Sequence, residues 1–306
     1  MTDAGSVFPL AGATAALTAA FLWAVSVTLY HRASGSVGPL GINLFKGCVA
    51  IVLLLVTLAA TGGLRTSVPL AALGTLLVSG ALGIGVGDSA FFYSLKSLGP
   101  RRSLLLMILA PPLSALIALV FLGERLGALE WLGIAITLLG VAWVITERSP
   151  QHEGRPAALW PGVAFGLISA LGQAVGAVLS RTVLTETDVS PLWSTLPRIV
   201  AGAAVVMVFI LIGRQPVAEW LRTLRVTGLW RIVAFGAFLG TFLAMWLQQV
   251  ALKYVPVGVA QTLLSSSPVF VLPIAALAGE KVTWRAVIGV VIALAGIALL
   301  FGIFTP

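Results

Sequence analysis

Long apolar blocks, broken only by short clusters of charge, constrain this chain more than any other feature. Of its 306 residues, 59% are hydrophobic and 9% charged, against roughly 25% charged in soluble domains. Mean hydropathy is +1.09. The blocks run to about twenty residues, the length of a helix that crosses a hydrocarbon core of roughly 30 Å. In lipid every backbone polar group must be satisfied internally, so only helices and closed barrels span it. The alternating apolar and polar tracts of a barrel are missing. The pattern therefore predicts an all-α integral membrane protein. The first 30 residues lack a basic leader and a small-residue cleavage site, so they read as a mature first helix.

With Gly, Pro and charge clusters as punctuation, helices are expected near 10–30, 39–61, 69–95, 103–122 and 128–146. A second five are expected near 160–182, 191–212, 228–252, 257–278 and 283–304. The most polar stretch, ERSPQHEGRP from Glu147 to Pro156, lies near the midpoint. It divides the chain into a first five-helix unit (1–149), a polar linker (150–156) and a second unit (157–306).

Shifting the first half by 156 residues pairs Pro100 with Pro256, Pro112 with Pro268 and Gly123-Glu124 with Gly279-Glu280. A slightly smaller shift brings Pro39-Leu40 onto Pro191-Leu192 and Lys46 onto Arg198. The chain thus reads as a duplication. Because each copy has an odd number of crossings, the second enters from the opposite side, giving ten transmembrane helices as two inverted repeats around a central cavity. That architecture is found mainly in transporters, whose halves rock around a shared midplane site.

The segments LGERLGALEWLGIAITLLGV (122–141) and AGEKVTWRAVIGVVIALAGI (278–297) carry the same Gly-Glu ending followed by spaced glycines. APPLSALIALVFLGE and SSPVFVLPIAALAGE, which lead into them, are similar too. These paired motifs resemble the EamA-type family of the drug/metabolite transporter superfamily over essentially the whole chain. The resemblance implies a ten-helix bundle and transport of a small metabolite such as an amino acid or amphipathic amine, often outward. Lys46 is a departure, because many relatives place Arg in the second helix.

Several chemistries are excluded or disfavoured. No Gly-Lys pair exists, so there is no phosphate-cradling P-loop. GIGVGD lies inside a helix and precedes no βαβ unit, so it is no nucleotide fingerprint. Cys48 stands alone, and His31 and His152 have no metal-ligand partner at suitable spacing. No cofactor is expected. A net charge of +8 suits juxtamembrane topology signals and lipid head groups better than nucleic acid. A membrane-embedded enzyme lacks buried pairs for acid/base or nucleophilic work. A flippase for a lipid-linked sugar or lipid headgroup is the second transport reading. The expected partners are a small-molecule substrate, membrane lipids and protons, with the chain a monomer or homodimer.

Three charges fall inside the expected spans: Lys46, Asp88 and Arg198. Each costs roughly 2.5–3.5 kcal/mol at a helix centre on insertion scales, so each should face a partner or a cavity. Asp88 is the first acidic residue after Asp3. Lys46 and Asp88 lie on the order of 10–14 Å from the same membrane face at 1.5 Å per residue, so they can pair. Desolvation and the Lys46 ammonium act in opposite directions on the Asp88 proton, which makes this carboxylate a candidate for proton coupling. Asp88 maps onto Ala244, so Arg198 has no matching acid. Arg198 is expected to meet a substrate anion or backbone carbonyls.

Trp23, Tyr93, Gln173, Trp246, Gln249, Gln261 and Ser265 complete the expected cavity, since buried amides and hydroxyls must avoid lipid. Pro112 and Pro268 should interrupt the fourth and ninth helices, which are expected inside the bundle. Glu124 and Glu280 are expected to cap the helices that directly follow them. Glycines four apart, including Gly83/Gly87, Gly172/Gly176 and Gly236/Gly240, should let helix backbones approach.

Connections after odd-numbered helices carry twelve Lys/Arg and those after even-numbered helices carry four. By the positive-inside rule the odd connections are cytoplasmic and both termini outside, whereas the resemblance implies both inside. The charges predict that a fluorescent reporter fused after Pro306 stays dark; cytoplasmic fluorescence there reverses the assignment.

Overall fold

The computed structural model describes residues 4–34, 37–98, 100–145, 159–271 and 283–302, and every regular element among them is helical. The linker, Glu280 and Lys281 lie outside the described residues. In the first half, α1 (Ala4–Ser34) and α2 (Pro39–Ala60) precede α3 (Leu70–Gly80), which continues through a π-helical segment (Ala81–Gly87) into α4 (Asp88–Leu98). Then come α5 (Pro100–Met107), α6 (Ala110–Phe121) and α7 (Ala128–Ile145). In the second half, α8 (Leu159–Glu186), α9 (Pro191–Ile212) and α10 (Val217–Thr227) precede α11 (Leu229–Gly236). A second π segment (Ala237–Leu243) joins α11 to α12 (Ala244–Tyr254); α13 (Val257–Leu264) and α14 (Trp284–Gly302) follow.

Among the described residues six helices are long and apolar enough to cross a membrane: Pro9–Tyr30, Leu40–Ala60, Leu70–Ser94, Trp160–Glu186, Pro191–Ile212 and Leu229–Tyr254. Four shorter apolar stretches, Ala110–Phe121, Ala128–Trp143, Val257–Val271 and Trp284–Leu300, occupy the positions of the other expected crossings. Ala110–Phe121 is short because its helix is broken from α5. The chain turns at 108–109 and again at 265–266, and each time proline stands within the first turn of the helix that resumes, Pro111 and Pro112 in α6 and Pro268 in the stretch 267–271. Proline suits that position because its missing N–H would be unpaired there anyway.

The first helix of each half packs on the third of the other: α1 lies along α12, and α8 lies along α4 and its π segment. The second helices, α2 and α9, also pack together, as do α7 and α14. Glycine lets α8 approach the first π segment closely. A Cβ at Gly176 would stand 3.1 Å from the Cα of Gly83, and one at Gly172 would stand 3.3 Å from the Cα of Gly87. Two of the four-residue glycine pairs therefore face each other, backbone to backbone. The two π segments begin 156 residues apart (237 − 81), the offset that aligns the prolines.

Two expectations need correction. All residues of α13 are buried, but α6 exposes Leu116, Leu119, Val120 and Phe121. The fourth helix is only half inside, because α8 and α13 cover it on one side. The second correction is α10, which has no counterpart among the expected helices. Its Trp220 and Leu224, four apart on one face, pack with Val37, Ile42 and Val233, and the Trp220 ring rests on Gly41, where a Cβ would stand 2.9 Å from the ring's Cδ2 atom. The period was present in VAEWLRTLRVT, but charge clusters were read only as loop.

A Cβ at Gly140 of α7 would stand 2.7 Å from the Cα of Ala293 on α14. Gly140→Val is therefore expected to lower stability by about 1–3 kcal/mol through overpacking, read as a fall in Tm. Gly74 has open space around it, and Gly74→Ala should leave Tm unchanged or slightly higher.

Candidate functional site

A cavity of about 240 Å³ opens between the halves, lined by Trp23 of α1, Asp88 and Phe91 of α4, Met107 of α5, Gln173 of α8, Gln248 of α12, Gln261 of α13, and Ser265 and Pro268 beyond it. Asp88 is the one charged side chain among its described lining residues. The breaks at 108–109 and 265–266 let the chain end its turns at this cavity, where unpaired backbone is tolerated because it is not exposed to lipid.

The Asp88 carboxylate is held from two sides. Its Oδ2 lies 3.6 Å from the Lys46 ammonium of α2, and its Oδ1 accepts a hydrogen bond from Gln173 Nε2 at 3.0 Å. The lysine contact is longer than a charge-assisted hydrogen bond of about 2.8 Å, so it neutralises charge without occupying the oxygen fully. Gln173 Nε2 also donates to the carbonyl of Gly83 at 3.2 Å. It can reach both because Gly172 and Gly176 on either side of it bring α8 against the π segment.

In π geometry the backbone hydrogen bonds run to the fifth residue, and such irregular turns leave carbonyls for other donors. In the first π segment the donor is Gln173. In the second it is Trp23, whose indole Nε1 donates to the Gly240 carbonyl at 2.8 Å. Ser26 Oγ donates to the Gly236 carbonyl, just before that segment, at 3.1 Å. Each π segment is thus bonded by a side chain from the first helix of the opposite half.

Arg198 is 3% exposed and lies in a separate network of side chains. Its Nη1 donates to Gln249 Oε1 at 2.6 Å, and its Nε donates to Ser79 Oγ at 3.0 Å. Gln249 Nε2 in turn donates to Ser194 Oγ at 2.9 Å, and Ser79 Oγ donates to the Gly176 carbonyl at 2.6 Å. Its described partners are an amide and a hydroxyl, in place of a substrate anion or backbone carbonyls. Arg198 and Gln249 do not line the cavity.

Other expected cavity residues also fall elsewhere. Tyr93 is 51% exposed and stacks on Phe165 with ring centroids 5.2 Å apart. Five residues beyond Asp88, it is rotated roughly 140° around α4 at about 100° per residue. Trp246 sits 6.3 Å from Phe242, ring to ring, and is absent from the lining, as is Lys46, which reaches Asp88 from behind. Trp23, Asp88, Gln173, Gln261 and Ser265 are brought together. Sequence reasoning missed Gln248, Phe91, Met107 and Ser79. Gln248 had a visible signal, an amide in an apolar helix beside Gln249, but which of two neighbours faces inward depends on helix rotation.

Glu124 caps a helix, though not the one that directly follows it. Its Oε2 accepts from the backbone N–H of Val257, the first residue of α13, at 2.9 Å. Its Oε1 accepts from Arg181 Nε at 2.6 Å, and Arg181 Nη1 also donates to the Leu252 carbonyl at 2.6 Å. The carboxylate of the first half therefore closes a helix start in the second.

Helices long and apolar enough to cross a membrane, with a small cavity between the two halves, define the class: a multi-helix membrane bundle. The model of the EamA-like transporter family matches residues 10–146 and again 160–302, and the chain belongs to that family. It is 27% identical over 263 residues to a protein of Bacillus subtilis (strain 168) named "Uncharacterized transporter YyaM", covering 83% of this chain and 82% of that one. It is also similar in fold to a solved crystal structure with a TM-score of 0.76 and 21% identity, covering 94% of this chain and 96% of the other. The protein is a membrane transporter.

Because hydrogen bonds to a charged group are worth about 1.5–3 kcal/mol, Gln249→Leu should destabilise the fold by about that much through Arg198. Tyr93→Leu should leave ligand binding in the cavity unchanged. Thermal unfolding and ligand-induced shifts on the purified variants check both.

Proposed function

We propose that this chain is a secondary transporter, working as an exporter, for a small metabolite carrying an amine, such as an amino acid or amphipathic amine. Its ten membrane-crossing segments form two inverted five-helix repeats, and the cavity opens alternately to either side as the halves rock. The observation that carries this reading is a cavity of about 240 Å³ lined from both halves, with Asp88 the one charge among its described lining residues. That volume suits a small metabolite and is small for a lipid-linked sugar, since pockets for drug-sized ligands run to roughly 300–1,000 Å³.

An unpartnered carboxylate at this depth is costly, so an empty site needs a counter-ion, and Lys46 supplies it at 3.6 Å. A substrate ammonium entering from the cavity side finds Asp88 lone pairs that lysine does not saturate, with Trp23 and Phe91 able to face its apolar part. Gln173 belongs to the second half and Asp88 to the first, so a cation bound there touches both moving bodies. A proton competes for the same oxygens, which makes Asp88 the natural point of coupling.

Reconstitution into liposomes with labelled amines and amino acids, with and without a pH gradient, tests the proposal. Wild-type protein is expected to move an amine, and Asp88→Asn to abolish both transport and its response to pH. Normal transport by Asp88→Asn with unchanged pH dependence contradicts the role of Asp88. Failure of a broad amine panel contradicts the substrate class.

A further inference from the structure

Outside the cavity, a groove of about 680 Å³ lies between α2, α10 and α11. Phe45, Leu221 and Trp230 give it an apolar side and the exposed Arg222 and Arg225 a cationic rim; no acidic residue is among its described lining. The two arginines are three apart on α10 and so share a face, opposite the face whose Trp220 and Leu224 lock the helix to the bundle. Neither has a hydrogen-bond or ion-pair partner among the described residues. A third cation stands beside the same edge, with the Arg231 guanidinium 5.5 Å from the Trp230 ring centroid.

The repeat does not call for this helix. The equivalent connection of the first half, 61–69, holds only the short 3₁₀ turn Gly63–Arg65. α10 also leaves Leu221 51% exposed, next to Trp220 and Leu224 on its apolar side, which suits a helix lying in the membrane interface. Phe45 is six residues past Pro39, about 9 Å along α2 at 1.5 Å per residue. The groove therefore runs from a cationic rim at the interface to an apolar side at acyl-chain depth. That sequence of chemistry, a guanidinium fork and then hydrocarbon, complements a phosphate ester carrying a fatty chain. The positive-inside rule puts this arginine-rich connection on the cytoplasmic leaflet, where anionic lipids collect.

We propose that the groove binds one anionic phospholipid, with its phosphate between Arg222 and Arg225 and an acyl chain along Leu221 and Phe45. The site is distinct from the cavity, and its two arginines come from α10, which the first half lacks.

Native mass spectrometry and thermal shift on the purified full-length chain test it, with mixed micelles of phosphatidylglycerol or phosphatidylcholine as probes. A one-to-one phosphatidylglycerol adduct and a higher Tm than with phosphatidylcholine are expected. At about one arginine's worth of surface attraction each, losing both cations in Arg222→Gln/Arg225→Gln should weaken that adduct by roughly thirtyfold. Arg65→Gln/Arg125→Gln removes the same charge from exposed positions elsewhere and should keep it. Equal loss in both double variants means diffuse charge attraction and overturns the site. A shift of the same size from inorganic phosphate alone overturns the lipid assignment.

Discussion

The hydrocarbon core offers no water, so a polar group buried there must be met by another part of the protein. The organisation between the halves follows from how the chain meets that demand. Asp88 takes its counter-ion from α2 and its hydrogen bond from α8. Arg198 of α9 is held by Ser79 of α3 and Gln249 of α12. Glu124 joins the connection after α6 to Arg181 of α8 and the start of α13. In each case at least one partner comes from the other half, so the charges that lipid would reject link the two halves.

The π segments follow the same logic at the level of backbone. An α-helix satisfies itself, whereas a π turn offers carbonyls to outside donors, and here Gln173 and Trp23 take them across the interface. Because a single amide, Gln173, bonds both the π carbonyl of Gly83 and the carboxylate of Asp88, backbone geometry and the charge at the cavity are linked.

Features set by period and by covalent chemistry were legible in the sequence. Apolar runs located the helices, prolines located the two breaks, and glycines four apart located the close crossings, because each constrains its own neighbourhood. The depth of Lys46 and Asp88 could be compared because both count from a helix end. Features set by rotation about a helix axis were not legible. Tyr93 and Asp88 share α4 yet face different surroundings, and Gln248 and Gln249 are adjacent in sequence but one faces the cavity and the other the Arg198 network. Glu124 found its partners at positions 181 and 257, which no local rule points to. The amphipathic α10 went unseen because its arginines were read as punctuation rather than as one face of a helix.

The central claim is that Asp88 receives the positive charge of the substrate in competition with Lys46. The most direct measurement is a thermal-shift comparison of wild-type and Asp88→Asn protein against primary amines and their neutral amide counterparts of matched size. The account predicts that amines raise Tm in the wild type, that their amide counterparts do not, and that the Asn variant no longer distinguishes the two. Equal stabilisation by amines and amides in the wild type, or amine selectivity that survives in Asp88→Asn, would contradict it.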